Sequence, residues 1–157
     1  MKRMIGMALV CLLALSGGPH VSAAKEYTPE VQGAIDAAMQ SLDDYMLAFN
    51  SRDTKAWAAT LNYPHVRIAS GNVRVWQTEE EYAAYMDFDA FAKRFGWDHS
   101  HWISRETISA TPDKVHVMTT FQRFNDKNEP IATYASLYIV TLVEGHWGTQ
   151  ARSSSAP

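Results

Sequence analysis

The most constraining feature of this chain is its last third, where four segments of alternating polarity follow one another with short turns between them. Residues 99–110, 115–125, 131–143 and 146–153 each carry the two-residue period of a strand. Pro112-Asp113, Asp126-Lys127-Asn128-Glu129 and Glu144-Gly145 part them. Turns this short make neighbours antiparallel. The chain must therefore build a meander whose apolar face needs a cover.

The cover is predicted near the start. Thr28 is a good N-cap, with Pro29 at the first helical position and Glu30 in the first turn. Val31, Ile35, Ala38, Leu42, Tyr45, Met46 and Phe49 recur at spacings of three and four, one apolar stripe on a helix over 29–49. A second, short helix carries Trp57 and Leu61 on one face and stops at Tyr63-Pro64. From His65 the period becomes two, and a turn at Gly71-Asn72 predicts a hairpin that sets Arg67 opposite Trp76 in a cation–π contact. Thr78 with Glu81 forms a capping box for a third helix, running through Tyr82, Tyr85, Met86, Phe91 and Phe95 to a stop at Gly96.

Strict alternation divides the sheet into two faces. Trp102, Ser104, Glu106, Val117, Thr119, Phe121, Arg123, Tyr134, Tyr138, Val140, Trp147 and Ala151 fall on the face toward the long helix. His99, His101, Arg105, Met118, Leu137, Ile139 and Arg152 fall on the outer face. One bulge would exchange the faces beyond it. The apolar patch at Met118, Leu137 and Ile139 suits a homodimer interface.

The amino terminus reads as an export signal. Lys2 and Arg3 precede an apolar run over 5–15, then Gly17, Gly18 and Pro19, and Val21-Ser22-Ala23 is a small-residue cleavage site. The run is short of the about 20 residues a membrane span needs. The domain is thus expected at 24–152, after a signal peptide at 1–23, with 153–157 a frayed tail, and in a periplasmic or secreted location. Cleavage removes Cys11, the only cysteine, so neither a disulfide nor a thiolate nucleophile is expected. The formal net charge of −3 becomes more acidic when Lys2 and Arg3 leave, which argues against nucleic acid as a partner. No basic segment suggests a membrane surface as partner after cleavage.

The order of elements is an α+β cone, with N-terminal helices packed on a curved antiparallel sheet. It resembles the NTF2-like superfamily in its SnoaL-like or DUF4440-like branch. The residues that carry the resemblance are 45–53 with Trp57, the His65-Val66-Arg67-Ile68 strand and the closing segment 145–150. The resemblance implies a deep pocket between sheet and helices, and commonly a dimer through the outer sheet face. It leaves the activity open between non-catalytic binding domains and cofactor-free isomerases, dehydratases and cyclases. The isomerase arrangement needs a carboxylate base, and here His65, Arg67 and Ala69 occupy the strand where it would sit.

Trp97, Trp102, Thr119, Arg123, Tyr134 and Tyr138 are the residues placed to line such a pocket and meet a small, partly apolar ligand. Four groups are candidates for proton transfer: His65 at the pocket mouth, the neighbours Asp98 and His99, and Glu106 on the inward face. Glu106 would alternatively form a diagonal ion pair with Arg123. His99 and His101 share a face and could hold a metal with His116, but two histidines two apart more often end a strand in solvent. No metal site and no cofactor are expected. A third class of function is a protein-interaction module using the outer sheet face.

Overall fold

A computed structural model describes residues 26–157. Residues 1–23, expected to be a signal peptide, and Cys11 within them lie outside the described residues. The elements run α1 (Pro29–Asn50), α2 (Thr54–Ala58), β1 (Leu61–Ala69), β2 (Asn72–Trp76), α3 (Glu79–Tyr85), α4 (Phe88–Phe95), β3 (His99–Thr111), β4 (Lys114–Phe124), β5 (Pro130–Val143) and β6 (His146–Ser154). One six-stranded sheet has the order β2-β1-β6-β5-β4-β3. All neighbours are antiparallel except β1 and β6, which run parallel. The expected α+β architecture of helices on a curved sheet is present.

Local chemistry sets the helix starts. The Thr28 side chain accepts from the Val31 amide, and Asp53 accepts from the Lys55 and Ala56 amides to begin α2. The inner stripe of α1, with Ala34, Ile35, Ala38, Leu42, Tyr45 and Phe49, is buried against Val115, Val117, Tyr138 and Val140 of the sheet. The long helix thus covers the face that the alternation assigned to it.

Five expectations are corrected. The short second helix ends at Ala58, and Leu61, Tyr63 and Pro64 belong to β1. The hairpin turns at Ser70-Gly71, both with positive φ, as a tight two-residue hairpin requires. That moves the turn by one residue and each pairing by two, so Trp76 pairs with His65 and Arg67 pairs with Arg74. The third helix is two, because Met86 is extended and the Asp87 carboxylate caps a new helix by accepting from the Ala90 amide. Residues 153–157 are no frayed tail: β6 continues to Ser154, the Ser155 amide donates to Ala135, and Ala156 is buried.

The fifth correction concerns the faces. β3 carries one extra residue between Trp102 and Ser104 and another between Thr107 and Ser109. Past the first bulge the parity reverses. Arg105 turns inward, where it donates to the Met39 carbonyl and pairs with Asp43 at 2.8 Å. Glu106 becomes exposed. β6 carries an extra residue at Gln150, so Ile139 pairs with Ala151 and Tyr138 pairs with Arg152. Arg152 thereby faces the helices, contrary to its expected place on the outer face.

Candidate functional site: an arginine-rich aromatic cavity

A cavity of about 430 Å³ opens between the sheet and the helices α1, α3 and α4. That is the size of a small-molecule site. Its apolar walls come from rings the sequence spaces along helices: Tyr45 and Phe49 from α1, Trp57 from α2, Tyr82 from α3 and Phe91 from α4. Most of these rings meet edge-on or tilted, as Tyr45 on Trp57 at 5.6 Å and Phe49 on Phe91 at 6.0 Å, while Tyr45 and Phe49 lie parallel at 6.5 Å.

The polar lining is dominated by one residue type. Five lining residues are arginines: Arg67, Arg74, Arg94, Arg123 and Arg152. Among the described residues Asp87 is the one acidic side chain of the lining, and it is engaged as the cap of α4. The cavity therefore carries a positive excess although the whole chain is acidic.

Arg123 is 5% exposed. Its guanidinium lies 4.8 Å from the ring centres of both Phe91 and Tyr134, with Phe95 and Phe121 farther out. Its Nε and Nη1 are buried without a hydrogen-bond partner. Burial lowers its pKa from the ordinary arginine value, and the charges of Arg152 and Arg67 act in the same direction. Arg152 donates through Nη1 to the hydroxyls of Tyr45 and Tyr138, while its Nε is buried without a partner. Burial opposes its charge, and the Tyr45, Tyr138 and Tyr82 hydroxyls more than offset that, so its pKa stands raised. Arg67 donates through Nη2 to the main-chain oxygens of Ala156 and Pro157 at 3.2 and 2.8 Å, and Pro157 itself forms part of the cavity wall. None of these three guanidiniums meets an aspartate or glutamate within ion-pair distance among the described residues.

Of the residues placed to line a pocket, Arg123 and Tyr138 do so. Trp97 is core, donating from Nε1 to the Ser100 hydroxyl at 2.9 Å. Trp102 packs between Phe121 and Tyr138 and donates to the Leu42 carbonyl. Thr119 is buried and donates to the Ser136 carbonyl. Tyr134 stands behind Arg123, against Phe121.

The four proton-transfer candidates do not converge, and none lines the cavity. His65 is 1% exposed and donates from Nδ1 to the Thr149 carbonyl at 2.9 Å. Burial pushes its pKa down to about 4, with Arg152 and Arg67 adding to the effect, so it is neutral at physiological pH. Asp98 and His99 do form a pair, at 2.9 Å, and Arg52 meets the other oxygen of Asp98 at 3.1 Å. This cluster lies at the start of β3, with the His99 ring stacked on Phe124 and its Nε2 3.2 Å from the Asn128 side-chain oxygen. Glu106 is exposed on the far side of the sheet and has no ion pair with Arg123. His99 and His101 have ring centres 5.0 Å apart, but His116 pairs with Ser109 near the other end of β3. Among the described residues no group of three potential ligands could hold a metal ion.

Alternation alone missed Arg152, Arg67, Arg74, Arg94 and Asp87. No local signal marks the bulge that turns Arg152 inward, and only the pairing reveals it.

The fold has many solved counterparts. An NTF2-like protein with a cystatin-like fold from Novosphingobium aromaticivorans superposes with a TM-score of 0.65 at 10% identity, covering 79% of this chain and 82% of the other. A ketosteroid isomerase-like protein from Erwinia carotovora atroseptica gives 0.57 at 19%, covering 82% and 97%. A Catenulispora acidiphila protein in complex with S-DNPA gives 0.62 at 11%, covering 79% and 93%. No curated protein matches the chain in sequence. The family model described as NTF2-like protein (DUF6841) matches residues 36–154, a span that takes in α1 from its second turn and the whole sheet. This chain accordingly belongs to the DUF6841 family of NTF2-like proteins.

Proposed function

We propose that this protein is an exported binding domain that holds a small, partly apolar molecule in the aromatic cavity and works as a homodimer. The observation that carries the binding reading is the cavity of about 430 Å³, walled by the Tyr45, Phe49, Trp57 and Tyr82 rings, with Trp57, Arg123 and Arg152 of its lining each keeping a buried nitrogen that has no partner in the protein. Native interiors satisfy such groups, so a ligand is the natural acceptor. The Catenulispora acidiphila protein of the same fold, in complex with S-DNPA, supports small-molecule occupancy of this architecture. Binding is favoured over proton-transfer catalysis because His65, Asp98, His99 and Glu106 all lie outside the cavity wall.

Export rests on the charged, apolar and small-residue segments of residues 1–23. The dimer rests on the outer sheet face, where Met118 and Ile103 are exposed and Leu137 and Ile139 half-exposed.

Native mass spectrometry of the protein purified from its own source tests both parts. The expected species is a dimer of chains lacking residues 1–23, with a bound organic mass of a few hundred daltons. A bare protein that no aromatic compound stabilises against heat would sink the binding reading.

A further inference from the structure

Resting on the reading of the cavity as a small-molecule site, we infer that its ligand is an organic oxyanion, with the acid group on Arg123 and Arg152 and the apolar body against the rings. The argument begins with which buried atoms lack partners. Among the described residues, four buried nitrogens have none: Trp57 Nε1, Arg123 Nε and Nη1, and Arg152 Nε. All four belong to residues of this one cavity. All are donors only, since indole and guanidinium nitrogens cannot accept. The other unpartnered buried atoms, on Ser41, Thr107 and Thr149, are hydroxyls of residues outside the cavity wall. The unmet hydrogen-bonding capacity of the residues around this cavity is thus donor capacity only.

Charge points the same way. Arg67, Arg123 and Arg152 come to the lining from β1, β4 and β6 and none is ion-paired with an aspartate or glutamate, while Asp87, the one acidic side chain of the lining, accepts from the Ala90 amide. Arg74 and Arg94 add to the lining, each guanidinium lying over a ring, Tyr85 and Phe95 respectively. Burying a guanidinium without a counter-charge costs stability, and several together repel. A bound oxyanion answers both costs, and the edge of a guanidinium matches the two oxygens of a carboxylate or phosphate. The rings beside Arg123 can stabilise its charge but cannot accept its N–H groups as an anionic oxygen does.

Calorimetric titration with three naphthalene probes tests the inference: 2-naphthoate, 2-naphthyl phosphate and the neutral 2-naphthamide. At least one anion should bind about tenfold or more tightly than the amide, and the better anion identifies the headgroup. Arg123→Met and Arg152→Met should each abolish most of that preference while binding of the amide persists. Arg123→Lys, which keeps the charge but not the forked donors, serves if the methionine variant does not fold, and should lose most of the preference too. An amide that binds as tightly as both anions overturns the anion assignment, as does a preference that survives in every variant. Failure of all three probes also overturns it. The underlying cavity reading is judged separately by the native mass: a neutral apolar occupant would keep that reading and sink only the anion.

Discussion

Arg152 stands directly opposite Tyr138 across the β5–β6 ladder, and its Nη1 donates to the Tyr138 hydroxyl at 3.3 Å. The same nitrogen serves the Tyr45 hydroxyl on α1, so one side chain ties two strands to the covering helix. Arg123, one strand beyond β5, has rings around it instead of hydroxyls. The two arginines should therefore respond differently to truncation. Arg152→Met leaves two tyrosine hydroxyls without their donor and should cost about 1–3 kcal/mol. Arg123→Met removes a buried charge that has no counter-charge and should leave the ligand-free protein unchanged or more stable by up to about 2 kcal/mol. Urea unfolding of both variants checks the contrast; a larger loss for Arg123→Met would contradict it.

His65 makes the fold acid-sensitive. Its pKa is about 4 when folded, against an ordinary value of 6.5. The unfolded chain therefore binds the extra proton first, and the stability tied to neutral His65 is intact above about pH 6.5 and lost as the pH falls toward 4. The whole loss is on the order of 3 kcal/mol. His65→Gln should flatten the wild-type dependence over that window in denaturant titrations at successive pH values. An unchanged slope would mean that other groups carry it.

Gly148 sits where β6 passes β1. A Cβ there would lie 2.8 Å from the Leu61 carbonyl carbon and 2.9 Å from the Asn62 amide nitrogen, both backbone atoms that cannot step aside. Gly148→Ala should destabilise by about 1–3 kcal/mol. It should also disturb the Asn62 side chain, which donates to the Thr141 carbonyl at 2.8 Å and whose oxygen meets His146 Nδ1 at 3.0 Å. Thermal melting gives the size, and a melting temperature equal to wild type would show that the strands can part at no cost.

The outer face gives a separable outcome. Ile139→Asp or Leu137→Asp places a charge within the apolar patch without touching a cavity residue. Either should convert the proposed dimer to a monomer in sedimentation velocity while probe binding stays within about threefold, since both side chains leave β5 on the face opposite that of Tyr138. A variant that stays dimeric would move the interface elsewhere.

The sequence by itself determined the elements and the layering. Period and caps sufficed for α1 and for the four C-terminal strands, because helix and strand periods, Thr28 and the turn residues at Pro112-Asp113 and Glu144-Gly145 act over a few residues. It also named two cavity residues, Arg123 and Tyr138, since β4 and the inner end of β5 keep strict alternation past them. Tertiary structure alone decided the rest of the site. The bulges in β3 and β6 reversed the parity that alternation predicted, turning Glu106 out and Arg105 and Arg152 in. A bulge is settled by how a strand must bend to stay paired while it wraps the helix, and it leaves no mark in the local polarity pattern. The meeting of Arg67, Arg123 and Arg152 is decided the same way: they come from β1, β4 and β6, far apart in sequence, and only the closing of the sheet around α1 makes them neighbours.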